Sequence, residues 1–195
     1  VLAKGGLAMN SNLAFQDEYI REELIDGQVV LMSPQPSINH ITIVSNINTI
    51  FNNFLKGKIC RAFPDGAAVF LTEKDCFIPD FIVVCDPEKV KYNGIYGAPD
   101  LVVEVLSPYT AKRDKSYKKQ VYEQCGVQEY WLVSPNGKFV EQYLLQDGRL
   151  ELAEVYTQPE DYLTEEERAA YITEFKCSLY DDLLIKLADI FDRVE

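Results

Sequence analysis

Apolar positions repeat with two different periods along this chain. Between residues 38 and 56 they fall at 41, 44, 47, 50, 51, 54 and 55, the spacing of one helix face. Ser37 stands where a helix N-cap is expected. Residues 113–125 repeat the helical pattern and stop at Gly126, which predicts a second helix. Elsewhere the pattern changes to short apolar or alternating runs. These predict strands over 28–32, 59–63, 67–72, 76–85, 100–106, 128–133, 138–145 and 149–155, the last three as an antiparallel meander. Asp26-Gly27 marks a hairpin turn, with residues 12–27 as a loop or short helix leading into it. A helical piece over 163–169, a strand near 172–176 and a helix over 181–192 complete the chain. The order is mixed α/β, and with no repeat or linker a single domain over 1–195 is expected. Residues 1–8 read as neither signal peptide nor structural element, and Met9 reads as the natural start.

The run Leu101-Val102-Val103-Glu104-Val105-Leu106 is a strand with a carboxylate at its centre. A buried carboxylate needs a partner, a proton or a metal ion. Asp100 shares a strand face with Glu104, but four residues of strand span roughly 13 Å. Two ligands of one ion stand about 4–5 Å apart. Asp80, in the apolar run 77–84, reaches Glu104 only if its strand neighbours 100–106. An ion pair between Glu104 and a nearby Lys or Arg is the alternative.

Stepping about 100° per residue along 113–125 places Lys118 in the apolar arc with Val121, Tyr122 and Cys125. Asp114 lies beside it, one turn earlier, while Lys112 and Lys119 face solvent. An i,i+4 pair explains Asp114 with Lys118 but not their place on the apolar side. Two strand carboxylates and one lysine suit metal-dependent phosphodiester cleavage. A cation activates water, and an ammonium orients it or meets charge on phosphorus.

Composition changes this picture little. Hydrophobic residues make up 47% and charged residues 26%, as in ordinary globular chains, and no apolar run is long enough to span a membrane. The net charge of −12 argues against tight nonspecific DNA binding by the whole surface. A local basic patch remains at Lys112, Arg113, Lys115, Lys118 and Lys119. Five scattered cysteines without a CxxC pair read as unbridged core residues in a reducing cytoplasm. Trp131 and Tyr130 read as core rather than as base-stacking residues.

The segments PDFIVVCDP (79–87) and GAPDLVVEVLSPYTAKRDKSYKKQVYEQCGVQEYWLVSP (97–135) resemble the Uma-two family of restriction endonuclease-like proteins, within the PD-(D/E)XK nuclease superfamily. ELIDGQVVLMSPQPSINH (23–40) and SLYDDLLIKLADIF (178–191) extend the resemblance over nearly the whole chain. It implies a restriction endonuclease-like fold, a central mixed sheet flanked by helices, and Mg²⁺ or Mn²⁺ as cofactor. By position it implies Asp80 and Glu104 as metal ligands, Lys118 as the lysine, Glu23 as a further catalytic acid and His40 as an accessory group. One departure stands out. The superfamily's lysine lies two residues after the glutamate, and Leu106 occupies that place here.

These readings lead to a metal-dependent DNA endonuclease, with Lys112, Arg113 and Lys115 on phosphates and Asp114 accessory to Lys118. A silent binding module on the same fold is the alternative, and a hydrolase of small phosphoesters a third. A homodimer is expected, with 139–156 as its edge.

Overall fold

The structure, a computed structural model, describes residues 22–32, 35–160 and 162–195. Of the loop or short helix expected over 12–27, residues 12–21 lie outside them, as do residues 1–9, and residues 22–25 are a strand instead. The hairpin itself is β1 (Glu22–Ile25) and β2 (Gln28–Leu31). Asp26 and Gly27 form its turn with φ of 49° and 75°, as a two-residue turn of this hand requires. Helix α1 (Ile38–Leu55) follows, capped by Ser37, whose side chain accepts from the His40 backbone N–H. Then come β3 (Arg61–Pro64), β4 (Val69–Phe70), β5 (Cys76–Phe77), β6 (Phe81–Val84), β7 (Val90–Lys91), β8 (Gly94–Tyr96) and β9 (Leu101–Val105). The second long helical stretch runs from α2 (Ala111–Arg113) through a π turn (Asp114–Lys118) into α3 (Lys119–Cys125), ending at Gly126 with φ 87°. The strands β10 (Glu129–Ser134), β11 (Phe139–Gln146) and β12 (Arg149–Thr157) form the expected meander. A short α4 (Glu165–Arg168), β13 (Glu174–Lys176), β14 (Leu184–Lys186) and one turn of α5 (Leu187–Ile190) complete the described chain.

The strands make a mixed sheet in the order β12-β11-β10-β9-β6-β3 and a second sheet in the order β2-β1-β5-β4-β8-β7. In the first, β9 and β10 are parallel and β6 runs antiparallel to β9. Every residue of β9 is buried, as expected of a central strand covered on both faces. Leu101, Val103 and Val105 pack toward α1 and the C-terminal segment. Val102 and Glu104 face the other way, toward Tyr122, Phe77 and the second sheet. Glu104 therefore sits between the layers. Tyr130 and Trp131 are fully buried, in line with a core role.

Three further expectations need correction. The run 76–85 is not one strand: β5 and β6 belong to different sheets, with Ile78, Pro79 and Asp80 between them. Pro79 has no N–H for a ladder, so the chain turns there and crosses between layers. The expected helix over 181–192 is β14 plus a single helical turn. Leu183, Ile185 and Leu187 are buried while Leu184 and Lys186 are exposed, a period of two. The cysteines are not all unbridged, since Cys60 and Cys85 form a disulfide. One step beyond the Arg61↔Val84 pair of β3 and β6, the register sets these two residues opposite each other. That bridge removes the cysteine argument for a reducing cytoplasm.

The pair β7–β8 was not expected. Its Gly94, with φ 152°, lies so close to Ala68 that a Cβ would come within 2.5 Å of the Ala68 carbonyl oxygen. Only glycine lets β8 pair with β4 at that point. Among the described residues no helix is long and apolar enough to cross a membrane.

Candidate functional site

Four elements converge on Glu104. From β9 its carboxylate meets Lys118 of the π turn, with Nζ 3.1 Å from Oε1. Tyr122, one turn on in α3, donates its hydroxyl to the same oxygen at 2.9 Å. Glu23 arrives from β1. Its Oε1 lies 2.8 Å from the Lys118 ammonium and also accepts the Ile78 backbone N–H at 2.9 Å. Asp114 opens the π turn, with Oδ1 3.9 Å from Lys118 Nζ. Glu23, Glu104, Asp114 and Lys118 are all at most 4% exposed. The π turn matters here because its wider i→i+5 circuit keeps both Asp114 and Lys118 on the inner side.

Asp80 stands next to this group. One step beyond the Phe81↔Val103 pair, the β6–β9 register sets it opposite Glu104. Its Oδ2 accepts the Val105 N–H at 2.6 Å, and its Oδ1 is 3.0 Å from His40 Nε2. His40 and Asp80 are the more open side, at 16% and 14% side-chain exposure. Asp100, the other Pro-Asp aspartate, is committed elsewhere, accepting the Cys85 N–H at 2.7 Å.

The expected phosphate-binding residues diverge. Arg113 turns inward and reaches Glu23 Oε2 at 3.4 Å while staying partly exposed. Lys115 pairs with Glu141 at 2.6 Å. Lys112 points into solvent. Tyr122 and Tyr130 complete the site, and both were missed in the sequence. Tyr130 donates its hydroxyl to the Asp114 backbone carbonyl at 3.0 Å, which pins the π turn. Tyr122 lay in the predicted buried arc. That position could have flagged a buried hydroxyl in need of an acceptor.

The electrostatics follow from this crowding. Burial pushes the Glu104 carboxyl well above the usual carboxylate range. Lys118 pulls it back only in part, and Asp114, Asp80 and Glu23 push it further up. Asp114 is raised to about 6, chiefly by burial and against the pull of Lys118. Burial works against the Lys118 charge but is outweighed by Glu104, Glu23 and Asp114, so Lys118 stays an ammonium above its usual value. For His40 the hydrogen bond and charge of Asp80 outweigh burial and raise it above its ordinary value.

These shifts fix the sign of a pH effect. A carboxyl raised in the folded state binds its proton more tightly there than in the unfolded chain, so its contribution to stability grows as pH falls through the folded value. A raised His40 has the same sign, because its stabilisation is full below the unfolded value and is lost as pH rises. The melting temperature is expected to rise as pH falls from about 7 to about 5. Part of the rise is lost in Asp114→Asn, which differential scanning calorimetry reads directly. A melting temperature that falls over this interval overturns the assignment.

Glu23, Glu104, Asp80 and Asp114 face Lys118, Arg113 and His40, so the cluster is short of positive charge. Among the described residues no three His, Cys, Asp or Glu side chains are grouped to hold a metal ion. Mg²⁺ does not need three, since it commonly keeps several waters and takes one or two carboxylates. The hard oxygens of Asp80 and Glu104, opposite each other on neighbouring strands, fit such an ion.

Comparison with known proteins agrees with this frame. A crystal structure of a "putative nuclease belonging to DUF820" from Anabaena variabilis superposes with a TM-score of 0.66 at 22% identity, covering 89% of this chain and 90% of that one. The fold is thus restriction endonuclease-like, a central mixed sheet flanked by helices. Residues 10–171 match the model of the Uma2 family, described as "Putative restriction endonuclease". The chain belongs to that nuclease-like family. It is also 33% identical over 125 residues to the uncharacterized protein slr1290 of Synechocystis, a match covering 63% of this chain and 65% of that relative.

Proposed function

We propose that this protein is a divalent-metal-dependent nuclease that cleaves DNA phosphodiester bonds. The observation that carries the reading is Lys118, a buried ammonium held between Glu23 and Glu104 at 2.8 and 3.1 Å, on the helical stretch that follows the acidic strand. Asp80 and Glu104 would hold Mg²⁺ or Mn²⁺, which when bound polarises a phosphate oxygen and lowers the pKa of a bound water. Lys118 is kept protonated by its neighbours, so it works as a donor and not as a base. It orients water and meets negative charge developing on phosphorus. Its place on the helix supplies the ammonium that Leu106 cannot supply from the strand. Glu23 fixes Lys118 from the opposite side, and His40 and the Val105 N–H fix the two oxygens of Asp80. Lys112 lies exposed at the outer side of the same helical stretch and would meet phosphates there, whereas Arg113 must first leave Glu23 and Lys115 must first leave Glu141. Two copies paired along the outer strand β12, which exposes Leu152 and Val155, would present two sites to the two strands of a duplex.

One observation favours a second reading. Glu23, Glu104, Asp114 and Lys118 are nearly closed to solvent, as in a protein that has kept the fold and binds without cutting. Calorimetric titration of Mn²⁺ and Mg²⁺ into the wild type and Glu104→Gln separates the two. Saturable binding lost in the variant, with DNA cleavage lost in Lys118→Ala, is the expected result. No binding to the wild type, with or without DNA, moves the assignment to the silent module.

A further inference from the structure

Two groups in the cluster lack the partner their chemistry calls for. Asp114 is 1% exposed, yet its Oδ1 accepts no hydrogen bond. Unpaired buried polar atoms are rare in native proteins, and each one calls for an explanation. Lys118 carries three N–H donors. Its Nζ has acceptors at 2.8 Å on Glu23 and 3.1 Å on Glu104, and the next is Asp114 Oδ1 at 3.9 Å, beyond hydrogen-bonding range. The two shortfalls face each other. A movement of the ammonium by about 1 Å closes the gap. Asp114 has a short side chain on a backbone that Tyr130 pins at the carbonyl, at 3.0 Å, so it is not the group with the longer reach. The ammonium, on a flexible four-carbon stem, is.

We infer that Asp114 is a positioning residue that receives the Lys118 ammonium when Glu104 exchanges that ammonium for a divalent cation. The inference rests on the metal-dependent reading above. A cation arriving at Glu104 repels an ammonium hydrogen-bonded to the same carboxylate. Without a second charged acceptor, Lys118 either blocks the cation or is left buried and underpaired. With Asp114 it keeps Glu23, gains the free Oδ1 and stays paired throughout. Tyr122 can remain on Glu104, because a neutral hydroxyl does not repel the ion. The cluster thus has one acceptor in reserve, which accounts for an oxygen left unpartnered in a crowded interior.

The test is Mn²⁺ binding by calorimetry to the full chain in four forms: wild type, Asp114→Asn, Lys118→Met and the double variant. Asp114→Asn is expected to weaken Mn²⁺ binding about tenfold when Lys118 is present, within the range of couplings inside one network. In the Lys118→Met background the same change is expected to weaken it by less than about twofold. Equal weakening in both backgrounds overturns the inference, since Asp114 then acts only as a nearby negative charge. Should Lys118→Met not fold, a crystal structure of the wild type with Mn²⁺ decides. Nζ within hydrogen-bonding distance of Asp114 Oδ1 and released from Glu104 supports the exchange, and Nζ still on Glu104 overturns it. A wild type that binds no Mn²⁺ at all fails at the metal reading itself, a result distinct from binding that ignores Asp114.

Discussion

Replacing Lys118 with alanine is expected to lower the melting temperature by about 10 °C at neutral pH, besides abolishing any cleavage. The side chain is buried and is the only ammonium within 4 Å of Glu23, Glu104 and Asp114 among the described residues. Arg113 touches Glu23 alone, and from 3.4 Å. Removing one partner of a buried ion pair costs roughly 3–5 kcal/mol, because the charge left behind has no water to return to. For a chain of this size each kcal/mol shifts melting by roughly 2–4 °C. The loss should shrink in acid. Lys118 lowers the proton affinity of both Glu104 and Asp114, so without it both bind protons even more readily in the folded state. Lys118→Ala should therefore gain more stability than the wild type between about pH 7 and about pH 5. Glu104→Gln should cost much less at neutral pH, since its amide oxygen still accepts from Tyr122 and Lys118 keeps Glu23. Thermal melts of the three proteins at both pH values check this. A Lys118→Ala melting point within 2 °C of the wild type at both would remove the buried ammonium from the account.

How much of this site was legible before the structure depends on how local each contact is. Glu104 in its apolar strand and Lys118 on the buried arc follow from periods of two and 3.6, which act over a few residues. The pairing of Asp80 with Glu104 needed the assumption that two strands are neighbours, and the β6–β9 register supplies it. Glu23 is different. Its contact with Lys118 joins the first described strand to the second helical stretch through the packing of two sheets, and nothing near Glu23 encodes that. The resemblance pointed to the residue, but not to its salt bridge or to the Ile78 N–H it accepts. The π turn was invisible for another reason. A helical wheel assumes about 100° at every step, and the apolar arc came out right because the turn widens without breaking the helix. The errors also have local causes. Pro79 inside 76–85 was a strand breaker read as part of a strand. In 181–192 the buried Leu183, Ile185 and Leu187 alternate with exposed residues, a period of two that argues for a strand. The Cys60–Cys85 bridge spans 25 residues, and only the pairing of β3 with β6 brings those residues together.

Glu129 is a second buried carboxylate in an apolar strand, and its replacement by alanine is expected to match Lys118→Ala in cost while leaving any metal binding untouched. Glu129 opens β10 and is fully buried, on the opposite sheet face from Glu104. No Lys or Arg reaches it among the described residues. It takes its hydrogen bonds from neutral donors. Oε1 accepts from Trp131 Nε1 at 2.5 Å and Gln142 Nε2 at 2.6 Å, and Oε2 from the Ser178 N–H at 2.7 Å and the Ser178 hydroxyl. Cys177 Sγ adds a contact to Oε2 at 3.5 Å. This network ties the central sheet to the turn after β13 and leaves neither oxygen free for a ligand. Truncation orphans several buried donors, each worth about 1–3 kcal/mol, although the Gln142 amide keeps the Lys176 carbonyl at 3.0 Å. The expected loss is about 4 kcal/mol, or on the order of 10 °C. Unlike that of Lys118→Ala, it has no cluster of uncompensated carboxylates to be relieved in acid. Amide exchange should quicken first in β13 and β14, because the link from Ser178 to β10 is what disappears. Glu129→Gln should fall between, since an amide turns one of its ends into a donor facing other donors. If Glu129→Ala instead lost Mn²⁺ affinity while the sheet stayed protected, the two buried glutamates would have to exchange roles. Burial alone does not separate them; Glu104 sits among other charges, whereas Glu129 is satisfied by neutral groups.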